Sequence, residues 1–445
     1  MLITSAVSDC SIKATSQSHV GKSSATFLDS VLKPSQKNYL FSNVNVITMQ
    51  SPDILPAMDV FIKNGKIEKI NPHQASEVPG YIKIDATGKY LMPGLSDMHV
   101  HFNSGNYNRN ALFLFIMNGI TTARIMWGSN THIELRDSIK AGKLLGPQLY
   151  VASAGFNGNT PLWPGTILTP TDDDLKQEVK KYADAGYDYI KVYGSLQEHQ
   201  YDVLFDECKK NNIKPLGHLP NSLTLQKAIS SRQYSIEHLG GFVNHFNSTY
   251  NFNPDGNEFK RMIKESKQAG IWFCPTMTVV DRSTLKVPEY KSDPNYNYLP
   301  PDWKSWYEEK IAQPITADPS AIHQMRMVVL KKLFEQKANI IGGTDMGIRY
   351  IYPGSSLHDE LVYFVEAGMT PYEALITVTK NAAAFFKIND IGTIAEGSRA
   401  DLLLLEANPL DNIMNTRKID GTMVNGTWFN KSTIEKVKEN LVLAY

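Results

Sequence analysis

Between about Gly94 and Phe386 the chain repeats one pattern: a short β-branched or apolar run, a turn signal, then a helical stretch with apolar residues three and four apart. Strand-like runs fall at residues 97–102, 121–127, 148–153, 189–193, 214–219, 235–239, 271–276 and 338–345, with amphipathic segments such as 172–185, 198–211, 222–231 and 321–336 between them. Strands that alternate with helices pair in parallel, because a helical crossover brings the chain back to the same end of the sheet. Eight such units within about 290 residues is the arithmetic of an α/β (β/α)8 TIM barrel, a fold that takes about 250. A doubly wound sheet would carry a glycine-rich phosphate turn, and the sequence has none.

The two ends read differently. From Asn38 to Pro93 short β-runs are broken by turns, with Asn64-Gly65 between alternating runs as a strong hairpin signal. A second β-rich piece spans 387–430. Two such pieces around a long middle predict one small β-sandwich built from both chain ends, beside a barrel over 94–386. Residues 431–445 read as a helical tail. Residues 1–37, rich in Ser, Thr and Lys without sustained periodicity, read as a disordered or loosely packed leader.

Lys plus Arg and Asp plus Glu balance at 45 each, which argues against nucleic acid as a partner and favours a small-molecule substrate. Cys10, Cys208 and Cys274 are too few and too scattered for a disulfide framework or a cysteine zinc site. No apolar run reaches the roughly 18 residues needed to span a membrane. The start lacks a charged n-region, so the chain is either cytoplasmic or exported with a truncated or processed signal; Cys10 sits where an exported protein carries a lipid-modified cysteine, but Asp9 before it is a poor match to the small residue expected there. Self-association is left open.

Chemistry-bearing side chains recur where the β-runs end. His99 and His101 lie two apart on one run, so both imidazoles face the same way and can share an ion. A His-x-His pair on one strand is also a common surface or core feature. Further candidates follow at the ends of later runs: Lys191, His218, His238 and Asp345. In a (β/α)8 barrel those ends form the catalytic face. Tyr193, on the same strand face as Lys191, can polarise a carbonyl or simply cap the barrel. In the following loops, Trp163, Arg349 and Tyr352 are candidate substrate contacts, or loop-packing anchors in the case of the aromatics. His358 reads as a helix-start packing residue, and His132 as surface or pocket rim.

These residues, with GlyIleThrThrAlaArg from Gly119, the stretch 357–371, ThrLysAsnAlaAla from Thr379 and IleGlyThrIleAlaGluGlySerArgAlaAspLeu from Ile391, resemble the amidohydrolase superfamily, in its branch of prolidases and imidazolonepropionase. The resemblance runs from about Asn38 to Trp428. It implies that His99, His101 and Asp345 hold one divalent ion and His218 and His238 a second, most simply zinc, with a carboxylated Lys191 bridging them. Many relatives follow the arginine of the Thr-Thr-x-Arg run with aspartate. Here Ile125 follows Arg124, so a contact behind the metals is expected to be absent or altered. The implied function is metal-dependent hydrolysis of an amide C–N bond in a dipeptide, an N-acyl amino acid or a cyclic amide, with Asp345 as base. Lactone or phosphotriester hydrolysis at the same site is the alternative, and an inactive metal-binding scaffold the third reading.

Overall fold

The computed structural model describes residues 28–443 apart from 29, 32, 35–36, 103–105, 245–248, 284–290, 300, 302, 306–307, 309–318 and 349. Cys10 and Arg349 therefore lie outside the described residues, as does most of the leader. Leu28, at its end, is buried beside Phe113, Ile116 and Ile434.

Eight strands form one parallel sheet in sequence order: Leu95–Val100, Ile120–Ile125, Gln148–Asn157, Tyr189–Val192, Lys214–Gly217, Ser235–Glu237, Trp272–Cys274 and Asn339–Ile340. The sheet curls back on itself. Met98 N–H donates to Gly342 O at 3.0 Å, Asp345 N–H to His99 O at 2.8 Å and His101 N–H to Met346 O at 2.6 Å. Most observed strands end short of the sequence runs, because the last residues of each run leave the ladder to place side chains at the mouth.

Helix boundaries follow local chemistry. The helix Asp172–Asp184 starts at Thr171, whose side chain accepts from Asp174 N–H, and three aspartates in its first turn complement the helix dipole. It buries Leu175 and Val179 against the sheet. The helix Glu198–Lys210 likewise buries Tyr201, Leu204 and Cys208. The apolar core runs through both layers and includes Val100, Ile125, Val151, Ile190 and Ile236.

The chain ends meet in a second sheet of eight strands: Tyr39–Ile47, Ile54–Lys63, Lys66–Pro72, Ile82–Asp85 and Tyr90–Pro93 from one side, Leu402–Leu405, Ile419–Val424 and Thr427–Asn430 from the other. They join where Leu402 pairs with Pro93 and Leu404 with Leu91. The connectivity is that of one sheet, bent at Tyr39–Ile47, which carries register shifts between Phe41 and Val46. Its core, including Phe41, Val60, Ile62, Leu91, Leu402 and Leu404, is a cluster of its own. The first barrel strand begins two residues after Pro93, so this sheet anchors the segment that carries His99. The final helix, Lys431–Leu443, packs Ile434, Val437 and Leu441 beside Phe113 and Met117.

The hairpin at Asn64-Gly65 is of the type with both central residues left-handed, at φ 51° and 72°, and it pairs Lys63 with Lys66. Replacing Gly65 by Ala puts a Cβ on the left-handed backbone. The expected cost is about 1 kcal/mol, read as a lower denaturant midpoint with unchanged slope and unchanged metal content.

Candidate metal centre

His99 is fully buried, and its Nδ1 faces Glu237 Oε2 at 2.8 Å. A neutral ring that gives its Nδ1 proton to a carboxylate has a lone pair on Nε2. That Nε2 lies 3.3 Å from His101 Nε2 and 3.2 Å from Asp345 Oδ1, while His101 Nε2 is 2.8 Å from the same oxygen. Asp345 Oδ1 nonetheless accepts no aligned hydrogen bond and is buried. Lone pairs converging on a carboxylate oxygen repel unless a cation sits among them, so this set fits a metal ion.

A second group, His99, Glu237 and Cys274, also brings potential ligand atoms together. It does not fit an ion. Both Glu237 oxygens are occupied by Arg124 Nη2 at 3.0 and 2.9 Å, and burial pushes the Cys274 thiol well above its usual range.

The other sequence candidates reach the same place. His218 Nδ1 is buried without a partner among the described residues, and the His218 and His238 ring centroids are 4.6 Å apart. His238 Nδ1 bonds Thr276 Oγ1 at 2.7 Å, which leaves Nε2 for a ligand. Lys191 is buried, with Nζ 5.2 Å from the Trp127 ring centroid and 5.6 Å from that of Tyr193. Among the described residues it makes no ion pair with a carboxylate. Burial lowers its ammonium to about 8. Burial, and then the Lys191 charge, lowers His101 to about 4 and holds His218 well below its usual range. Burial would raise Asp345, but its interactions with His99, His238 and His101 outweigh this and hold it well below the usual carboxylate range.

A cavity of about 460 Å³ opens over these groups, lined by His101, Lys191, Tyr193, His218, His238 and Asp345 together with Phe102, Trp127, Trp163, Trp303 and Ile348. Tyr193 stacks edge-on against His218, with centroids 4.6 Å apart, and burial raises its phenol to about 12. Trp163 stands 44% exposed at the mouth. Tyr352 is not part of the lining: it is 1% exposed, beneath the Arg282 guanidinium 5.8 Å from its ring.

The model of the amidohydrolase family matches residues 90–429. The chain belongs to that family. Among solved structures, a bottromycin amidohydrolase superposes with a TM-score of 0.76 at 21% identity, covering 95% of this chain and 94% of that one. A putative prolidase from Bifidobacterium longum gives 0.71 at 21% identity, covering 92% and 100%. The imidazolonepropionase of Thermoplasma volcanium is 23% identical over 390 residues, 81% of this chain and 87% of that one. Some curated relatives match only locally: the chain covers 10% of an adenine deaminase from Paracoccus denitrificans, at 33% identity over 60 residues, 13% of this chain.

Sequence reasoning missed the layer behind the ligands. A contact was expected to be absent or altered where Ile125 follows Arg124, and Arg124 itself is fully engaged. Arg124 donates to Glu237, to Ser235 Oγ at 2.9 Å and to Met98 O at 2.5 Å, with the Phe385 ring 4.8 Å from its guanidinium carbon. Asp97 holds the strand ends together, accepting from His99 N–H at 3.2 Å, Thr344 N–H at 3.0 Å and Thr344 Oγ1 at 2.7 Å. Arg326 donates to His238 O at 3.0 Å and Thr276 O at 2.9 Å, clamping the two segments that orient His238. His358 is buried between Thr416 Oγ1 at 2.9 Å and Asn118 O at 3.1 Å, a packing role. His132, read as surface or pocket rim, is 4% exposed and borders a cavity.

Glu237→Gln removes the charge that Arg124 and His99 share and offers His99 a weaker acceptor. Metal affinity is expected to fall by about ten- to a hundredfold, measured by competition with a chelating indicator. Unchanged affinity would show that His99 is oriented by something other than Glu237.

Proposed function

We propose that this chain is a metal-dependent hydrolase of amide C–N bonds in dipeptides, N-acyl amino acids or cyclic amides. The observation that carries the reading is the convergence of His101, Lys191, His218, His238 and Asp345 on one cavity with apolar walls, with His99 behind them beside His101 and Asp345. The names of its structural neighbours, an amidohydrolase and a prolidase, agree with it. The same reading takes the curled sheet and its helices, 94–386, as a (β/α)8 barrel, the composite β-piece 38–93 plus 387–430 as its supporting domain, and 431–445 as a packed tail.

Two divalent ions, most simply zinc, would be held by His99, His101 and Asp345 and by His218 and His238. Lys191 would lie between them as a carbamate, formed when its neutral amine bonds to the carbon of carbon dioxide and its proton leaves to solvent. When bound, such ions activate water and polarise the substrate carbonyl. Asp345 takes the proton of the attacking water and delivers it to the leaving nitrogen. Tyr193, protonated at neutral pH, donates to the carbonyl oxygen as charge develops. Trp163, Trp303, Phe102 and Ile348 exclude water from the reacting bond.

About two metals per chain and a mass increase on Lys191 equal to one carbon dioxide are expected from elemental analysis and native mass spectrometry. A fully active protein with one ion and an unmodified Lys191 overturns the two-ion assignment. Asp345→Asn should leave the fold intact while kcat on the best amide falls about a hundredfold or more. A hydrolysis panel of amides, lactones and phosphotriesters tests the bond class, and turnover of lactones far above amides would replace the amide reading.

A further inference from the structure

The cavity over the candidate metal centre is walled by rings. Three of the chain's six tryptophans, Trp127, Trp163 and Trp303, line it together with Phe102 and Tyr193. Ile348 is the one aliphatic apolar side chain among the described lining residues. The volume of about 460 Å³ suits a drug-sized ligand rather than an acetyl-sized one.

Two of these rings are held by their surroundings. Trp127 lies against the backbone of Gly155, where an added Cβ would fall 2.8 Å from the indole Cζ3. Tyr193 meets the indole edge-on, with centroids 5.2 Å apart and planes at 78°. Gly165 closes on its nitrogen: a Cβ there would lie 3.5 Å from Trp127 Nε1. Gly165 belongs to the turn that carries Trp163. In that turn Trp163 N–H donates to Thr166 Oγ1 at 3.2 Å, and the Thr166 hydroxyl donates to Trp163 O. Leu162 reaches to within 2.8 Å of where a Cβ on Gly194 would lie, next to Tyr193. The backbone under Trp163 is thus pinned while the residue stays 44% exposed at the mouth. A ligand that covers this ring gains apolar burial without having to order the segment that carries it.

We propose that this cavity selects amides whose acyl group carries an aromatic ring, with that ring seated against Trp163 and Trp127. The inference rests on the amide-hydrolase reading and names its substrate class. The acyl side follows from the two ends of the cavity. Tyr193, which donates to the carbonyl oxygen, packs on Trp127, so the group bonded to the carbonyl carbon starts on the Trp127 side. Asp345, which protonates the leaving nitrogen, accepts the Ile348 N–H at 3.2 Å, so the amine departs beside Gly347 and Ile348. An aryl ring makes offset and edge contacts with indole rings, beyond the area it buries, that a saturated ring of the same size cannot make.

The test uses hydroxamates, whose common head chelates the metals and whose tails report on the walls. Calorimetric binding of phenylacetohydroxamate and of cyclohexylacetohydroxamate to the full-length metal-loaded chain is compared. Apolar burial by itself gives the phenyl tail no advantage. With aromatic contacts it should bind about three- to tenfold more tightly than the cyclohexyl tail. Trp163→Leu keeps an apolar side chain at an exposed position and removes the ring. It should lower the phenyl-to-cyclohexyl ratio about threefold or more, and because both compounds share one head, the ratio cancels any change at the metals. Cyclohexyl binding as tight as phenyl in the wild type, or a wild-type ratio in Trp163→Leu, overturns the proposal. Amide turnover is read separately on the substrate panel. A phenyl preference without turnover of any amide overturns the amide reading and leaves the aromatic subsite standing; amide turnover without a phenyl preference does the reverse.

Discussion

The ion pair between Arg124 and Glu237 is the interaction on which the site depends. Both side chains are within 1% of complete burial. Burial alone would raise Glu237, but the Arg124 charge and the His99 hydrogen bond outweigh it and bring the carboxyl down to about 2. A buried carboxylate deprived of its cation costs about 3–5 kcal/mol, so neither residue is replaceable by itself. Glu237 takes the Nδ1 proton of His99, and that fixes which nitrogen of His99 faces Asp345 and His101. A buried charge pair thus decides the tautomer of the histidine beside it.

Backbone geometry does comparable work at the other candidate ligands and their neighbours. His238, Thr276 and Asp345 all sit in the left-handed region, at φ 60°, 49° and 63°. Side chains other than glycine seldom adopt it, and such residues persist only where their surroundings hold them. Here Arg326 grips the carbonyls of His238 and Thr276, and Asp97 grips Thr344 beside Asp345. Gly343 meets a different constraint: a Cβ there would lie 2.6 Å from His99 N and 2.7 Å from Cys274 Sγ. Glycine lets the segment before Asp345 close against the first strand, which brings ligands far apart in sequence to one point.

The strand order was legible because the middle of the chain repeats one local rule, and each of the eight runs became a parallel strand in the expected order. The ends of those runs were less so. The run 338–345 contributes only Asn339–Ile340 to the sheet, since from Ile341 onward the backbone bonds to neighbours outside a regular ladder. Tyr352 and His132 show the limit for single side chains. Tyr352 read as a pocket residue but turns inward beneath Arg282, and His132, read as surface or pocket rim, is buried beside a cavity. Nothing in their local sequence distinguishes the two outcomes.

The sequence by itself determined which residues lie at strand ends and the hairpin at Asn64-Gly65. These follow from period, turn chemistry and chain order, which act over a few residues. Only the tertiary structure decided that Arg124 reaches across to Glu237, that Arg326 clamps His238, and that His132 is buried. Those contacts join residues up to more than a hundred positions apart. They depend on how helices and strands pack around one closed core, and no local pattern in the chain carries that information.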